Sequence, residues 1–172
     1  MKGTAKNIIW ATVFAFIAAI LQSTLLAFVT VHIHFPVPDL VLGIIVFTAY
    51  INGAMTGQIT GFFSGLLLDF LSAAPLGLNA FIRTLIGALT GLLRGTFFLD
   101  VLFLPMILCG CATIFKALIL FFLHFLFPET IPVYSVFQLT FWFELLLNTL
   151  LAPLLFGFLK LFKALLIERR QS

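Results

Sequence analysis

Four charged side chains lie inside long apolar stretches of this sequence. Asp69 and Arg83 flank a turn around Pro75, and Lys116 and Glu144 flank the next proline-marked turn. If these stretches cross a membrane, each charge costs at least about 2.5 kcal/mol on insertion scales, and it then faces a charged partner or a wet cavity. Such groups can form a ligand site or a proton relay, or they can act as structural ion pairs, and their spacing excludes neither role.

Depth along the predicted helices pairs these four residues. At 1.5 Å per residue, Asp69 lies about 8 Å and Arg83 about 12 Å from the turn between them. Lys116 lies about 17 Å before the end of its helix, and Glu144 about 15 Å after the start of the next one. We therefore expect two buried charge pairs, Asp69 with Arg83 and Lys116 with Glu144.

Other residues of catalytic type are poorly placed for catalysis. Ser64 lies among glycines in GFFSG, but the segment lacks the spacing typical of intramembrane serine proteases. Asp69 and Asp100 are predicted on opposite sides of a bilayer, where they cannot form a dyad, and Cys109 and Cys111 point to different faces of one helix. There is no phosphate-binding loop, dinucleotide fingerprint or long basic patch. We expect no catalytic residue, no metal, no cofactor and no nucleic acid.

The composition indicates the environment in which these residues act. Hydrophobic residues make up 63% of the chain and charged residues 9%, with a mean hydropathy of +1.26. This leaves too little polar surface for a water-soluble globule, so the sequence predicts an integral membrane protein. The 172 residues allow about six spans of roughly 20 residues, and we expect a single transmembrane domain over 1–172. The first apolar run is too long for a signal peptide and predicts a retained helix.

Prolines and polar clusters divide the chain into an all-α bundle of six predicted helices, over about 7–31, 39–51, 53–72, 77–95, 99–127 and 134–162. The second helix rises only about 20 Å and is shorter than a bilayer core of about 30 Å. It is therefore tilted, or it forms a re-entrant hairpin with the third helix.

The positive charges predict the orientation of this polytopic bundle. If the second and third helices run up and down, these charges share one side: Lys2, Lys6, Arg94, Lys160, Lys163, Arg169 and Arg170. Basic residues prefer the cytoplasmic side of a membrane, so both termini are expected to be cytoplasmic.

Small residues recur every four positions on three predicted helices. The third helix carries Gly53, Gly57, Gly61 and Gly65, and the fourth carries Gly87, Gly91 and Gly95; the first carries Ala11, Ala15 and Ala19. Small residues at this spacing let helix backbones approach closely in lipid. We expect the third and fourth helices to form a close pair, and all three stripes are candidate helix interfaces, within the chain or with a partner.

One segment carries a family resemblance. GQITGFFSGLLLDFLSAAPLGLNAFIRTLIGALTGLLRG resembles the central signature of the MreD family of bacterial rod shape-determining proteins, in which G-x-x-x-G-L-L-x-D ends the third helix before a small-residue turn and L-G. PDLVLGIIV and NTLLAPLLFGFLK resemble the family as well. Arg83 and Lys116 match no position of the family motif that we can assign.

This resemblance implies a non-enzymatic, multi-pass protein of the bacterial inner membrane that belongs to the cell-elongation machinery. It implies binding to the transmembrane helix of MreC and, through MreC, association with MreB, with RodA and with the transpeptidase that builds peptidoglycan. The small-residue stripes are then candidate surfaces for MreC or for a second copy of the chain, and the lipid membrane is the surrounding partner.

An alternative of another class is a substrate-binding S component of an energy-coupling-factor vitamin transporter. Such proteins also have six helices, and they bind a transmembrane coupling subunit through an alanine stripe on the first helix. Ala11, Ala15 and Ala19 form a stripe of this kind. The predicted outer loops are short and poor in the groups that close over a vitamin, which favours the scaffold. The two families can share a fold, in which case architecture does not separate them.

Overall fold

The computed structural model describes residues 2–32, 37–72, 74–95, 102–131, 134 and 138–166, with backbone alone at 2–4, 25–32 and 164. The regular structure in these residues is helical: α1 (Lys2–His32), α2 (Leu40–Asn52), α3 (Ala54–Leu71), α4 (Leu78–Leu92), α5 (Phe103–Leu126), α6 (Leu139–Leu161) and the single turn α7 (Lys163–Leu166). The prediction of an all-α fold with six main helices is confirmed.

The helices differ in their ability to cross a membrane. Three are long and apolar enough: α1 over Ala5–Thr24, α5 and α6. With 13 residues, α2 rises only about 20 Å, and it is short as the sequence predicts. Asp39, at the start of this short helix, is buried.

Local sequence sets the helix ends. Asp39 begins α2, because its side chain accepts a hydrogen bond from the Leu42 amide at 3.0 Å, as an N-cap does. Gly53 has φ +100°, a conformation that side chains disfavour, and it separates α2 from α3. Gly77 has φ +92° and precedes α4. The last main helix, α6, begins at Leu139 and not at Tyr134 as predicted, so Tyr134 lies before the helix.

The α3–α4 hairpin is held together by glycines whose backbones touch. A Cβ on Gly57 would lie 2.5 Å from the carbonyl oxygen of Gly87, and one on Gly65 would lie 2.6 Å from Cα of Ala80. Gly61 meets the backbone of Arg83 in the same way. Any side chain at these positions would force the two helices apart, so this contact depends on glycine.

The glycines at the ends of the predicted stripes differ from those in the middle. Gly53 and Gly95 both have positive φ and lie outside α3 and α4. A Cβ on Gly95 would meet nothing within 4 Å, whereas Gly91 packs on the backbone of Ala54. Gly95 therefore takes no part in the α3–α4 contact, whereas Gly53 does, because a Cβ on Gly91 would lie 2.7 Å from its carbonyl carbon. Both positions also require glycine for a backbone conformation that side chains disfavour.

The centre of the bundle is α2, which is buried from Val41 to Ala49. It packs against α1, α3, α4, α5 and α6. The α1 helix packs on α3 and α2. Its stripe of Ala11, Ala15 and Ala19 is fully buried, whereas Ile17 and Ile20, on the other side of the helix, are exposed. The α5 and α6 helices pair with each other and rest on α2 and α4. The N-terminus of α2 is thus surrounded by other helices.

Candidate functional site: a buried charge cluster

Asp39 is the centre of a buried charge cluster, which we define as Asp39, Arg83, Lys116 and Glu144. One Asp39 carboxylate oxygen, Oδ2, lies 2.9 Å from Arg83 Nη2 and 3.0 Å from Lys116 Nζ. The same Arg83 nitrogen is 3.0 Å from Oδ1. One carboxylate at the start of α2 therefore binds cations from α4 and α5.

The cluster continues to α6 through Lys116. Its Nζ lies 2.6 Å from Glu144 Oε1, and the hydroxyl of Tyr134 donates to Glu144 Oε2 at 2.5 Å. The structure thus brings Lys116 and Glu144 together. Burial, followed by the adjacent Glu144 carboxylate, raises the pKa of the Tyr134 phenol, so this residue stays a hydrogen-bond donor. Two anions balance two cations, and the cluster is neutral as a whole.

Uncharged polar groups extend the cluster along α5 and α6. The Asp39 amide donates to Asn148 Oδ1 at 2.7 Å, and Asn148 Nδ2 donates to Thr113 Oγ1 at 3.0 Å. Thr113 in turn donates to the Cys109 carbonyl at 2.9 Å. A small cavity beside Asp39 and Asn148 has room for about one water molecule, since a water needs roughly 10–15 Å³ of space open to its centre.

Asp69 lies outside the cluster, and its predicted pairing with Arg83 is wrong. Its carboxylate accepts hydrogen bonds from the amides of Gly77 at 2.9 Å, Asn79 at 2.9 Å and Ala80 at 3.2 Å, and from Asn79 Nδ2 at 3.0 Å. The first amides of a helix have no partner within the helix and attract negative charge. Asp69, in the last turn of α3, therefore caps α4 across the hairpin, while Arg83 reaches α2 instead.

Sequence reasoning missed Asp39 as a member of the site. Its place after Pro38, at the start of an apolar run, indicates an N-cap, and it does cap α2. Its pairing with Arg83 and Lys116 requires the short α2 to lie at the centre of the bundle, at the same depth as these two residues. The shortness of α2 was the available signal, because a helix too short to span leaves one end, with its polar cap, among its neighbours.

The hydrogen bonds within the charge cluster favour a structural role for it over a catalytic one. Each carboxylate oxygen of Asp39 and Glu144 already has a hydrogen-bond donor from the chain. In the part of the chain that the structure describes, no three His, Cys, Asp or Glu side chains form a possible metal site. Removing one partner of a buried ion pair typically costs about 3–5 kcal/mol. The cluster therefore ties α2, α4, α5 and α6 to one another.

The predicted helix interfaces are used within the chain. Gly57, Gly61, Gly65, Gly87 and Gly91 form the α3–α4 contact, and the alanines of α1 have no exposed surface. These faces are closed in the folded chain. Exposed apolar side chains lie on the outward sides of α1, α3, α4, α5 and α6.

Comparison with known proteins identifies the family of the chain. The family model described as rod shape-determining protein MreD matches residues 4–162. No curated protein and no solved structure matches the chain. The match covers α1 to α6, and with the three helices that are apolar enough to span a bilayer it identifies a membrane protein. The chain therefore belongs to the MreD family of rod shape-determining proteins.

Proposed function

We propose that this chain is a non-enzymatic scaffold of the bacterial cell-elongation complex, which binds the transmembrane helix of MreC. Through MreC it is linked to MreB, to RodA and to the transpeptidase that builds peptidoglycan. The observation that carries the proposal is the family match over 4–162, which implies a role in rod shape determination. In this proposal the chain is a single multi-pass domain of the inner membrane with both termini in the cytoplasm, an orientation supported by its basic residues.

The structure supports a scaffold through its internal ties. The α3–α4 hairpin is locked by backbone contact at glycines, and the charge cluster connects four helices. Both features hold helices together without a catalytic group, which suits a protein that presents a surface to a partner.

The small-residue stripes are packed against other helices of the same chain, so a partner helix needs another surface. We propose that the MreC helix meets an outward face of α1, α5 or α6, where Ile17, Leu118 and Leu150 are more than half exposed. A helix in lipid associates through packing and interhelical hydrogen bonds, so side-chain shape decides among these faces.

Photo-crosslinking in native membranes tests both the partner and the face. A crosslinking amino acid replaces Ile17, Leu118 or Leu150 in turn, and Val46, which is fully buried in α2, serves as the matched control. We expect MreC in the adduct from one of the exposed positions and none from Val46. Absence of MreC from all exposed positions, and from a mild-detergent pull-down of the tagged chain, would contradict the proposal.

The transporter alternative predicts another partner in the same pull-down, namely paired ATPases with a polytopic coupling subunit. Its docking stripe, Ala11, Ala15 and Ala19, is fully buried in the chain. Nothing in the structure supports that alternative over the scaffold.

A further inference from the structure

The charge cluster lies on the boundary between two parts of the molecule. One part is α1 to α4, whose α3–α4 hairpin is locked at its glycines. The other is the α5–α6 hairpin, which rests on α2 and α4. Asp39 and Arg83 belong to the first part, and Lys116 and Glu144 to the second. We call this boundary the seam.

Each side of the seam is neutral by itself. Asp39 pairs with Arg83 at 2.9 Å on one side, and Lys116 pairs with Glu144 at 2.6 Å on the other. Lys116 crosses the seam to Asp39 at 3.0 Å. Breaking a buried ion pair is strongly destabilising when it leaves a charge without compensation. Parting the two sides breaks this contact and the hydrogen bond from the Asp39 amide to Asn148 Oδ1 at 2.7 Å, but it leaves every charge with an opposite charge.

Arg83 has spare capacity to replace the lost contact. Both of its hydrogen bonds to Asp39 come from Nη2. Its Nε and Nη1 atoms are buried and have no hydrogen-bond partner in the described structure. A guanidinium can bind a carboxylate through two of its nitrogens at once. When Lys116 leaves, Arg83 can therefore take up the freed Asp39 oxygen with a second nitrogen.

A small cavity lies at the seam, whereas the α3 and α4 backbones touch at their glycines. The cavity lies between Pro38 and Gly43 on one side and Ala152 and Leu155 on the other. Within α6, Pro153 lies between these two cavity residues. A proline inside a helix removes one backbone hydrogen bond and permits bending.

We propose that the α5–α6 hairpin opens and closes against α1–α4 along the seam, with the Lys116–Asp39 contact as the latch. In the open state Asp39 stays on Arg83 and Lys116 stays on Glu144. The two states have the same buried net charge, so modest contacts from a partner suffice to shift the balance between them. This inference does not depend on which partner the chain binds.

Distance measurements between spin labels test the opening in the full chain in lipid nanodiscs. In a background with Cys109→Ala and Cys111→Ser, nitroxides on Phe81 and Phe122, both exposed, span the seam from α4 to α5. Nitroxides on Phe81 and the exposed Phe62 report on the locked α3–α4 hairpin as the control. We expect a second, longer population for the seam pair and a single distance for the control pair.

Two neutral double variants separate the latch from simple loss of charge. Lys116→Met with Glu144→Gln removes the latch from one side, and Asp39→Asn with Arg83→Gln removes it from the other. Each is expected to fold and to enlarge the longer population of the seam pair. The single variant Lys116→Met leaves Glu144 uncompensated and is expected to lower the yield of folded protein.

Each outcome either supports the latch or overturns it. A seam distance distribution that is the same in the unmodified chain and in a folded double variant would overturn it. Failure of both double variants to fold would also overturn it, because each side would then not be self-sufficient. If only one double variant folds, the seam distances of that variant are compared with those of the unmodified chain in the same way.

Discussion

Replacing Gly65 by alanine measures how much the close α3–α4 contact contributes to stability. The new Cβ would lie 2.5 Å from the carbonyl oxygen of Asn79 and 2.6 Å from both Cα and N of Ala80. These are backbone atoms, which cannot rotate away. To reach ordinary contact at 3.4 Å, the helices must separate locally by about 0.9 Å.

The change in the free energy of unfolding for Gly65→Ala follows from two opposing effects. Alanine is the better helix former by about 1 kcal/mol, whereas overpacking typically costs about 1–3 kcal/mol or more. Rigid backbone on the opposing side favours the upper end of that cost. The displaced Ala80 amide is also one of the donors to Asp69, so the cap of α4 weakens. We expect a net loss of about 2 kcal/mol, which changes the folded-to-unfolded ratio about 30-fold.

Gly157→Ala is the matched control, because this glycine lies inside α6 and a Cβ there would meet nothing within 4 Å. It should leave stability unchanged or raise it by up to about 1 kcal/mol. Reversible unfolding in mixed detergent micelles, with increasing mole fraction of denaturing detergent, gives the free energy of unfolding for each variant. If Gly65→Ala were as stable as Gly157→Ala, the claim that α3 and α4 touch through their backbones would be refuted.

Four further substitutions can be measured in the same unfolding assay. Asp69→Asn replaces one accepting oxygen by an amide that repels the α4 amides, and it should cost about 1–3 kcal/mol; no loss would exclude a capping role. Glu144→Gln leaves a net positive cluster and should destabilise more than Tyr134→Phe, which removes one hydrogen bond worth about 0.5–1.5 kcal/mol; the reverse order would contradict the ion pairing. In Gly43→Ala the new Cβ meets only the end of the flexible Leu155 side chain, so the loss of stability should be smaller than for Gly65→Ala. An equal loss would mean that the seam is packed as rigidly as the α3–α4 hairpin.

Features set by local sequence were predictable. The six helices and most of their ends follow from apolar length, prolines and glycines, and the closeness of α3 and α4 follows from glycines four apart on helices joined by a short turn. Depth along the chain also placed Lys116 beside Glu144, because α5 and α6 are antiparallel neighbours. In each case the interacting segments are adjacent in sequence.

Features set by the packing of distant helices were not predictable. Asp39 and Arg83 are 44 residues apart, and their contact requires the central position of α2, which no sequence period encodes. Depth gave Asp69 as the partner of Arg83, but it could not show that the first amides of α4 compete for that carboxylate. The sequence also left open whether the alanines of α1 face this chain or another, and only the fold shows them buried.

The separation of Asp39 from Arg83 along the chain has a consequence for biosynthesis. A ribosome that adds about 5–20 residues per second makes Arg83 about 2–9 s after Asp39. During that interval the carboxylate at the start of α2 has no cation to accompany it into lipid, and the short α2 cannot span the bilayer by itself. Lys116 and Glu144, in contrast, are 28 residues apart on consecutive helices and can enter the bilayer as one neutral hairpin. The helix at the centre of the finished bundle is therefore one that settles only after later helices have been made.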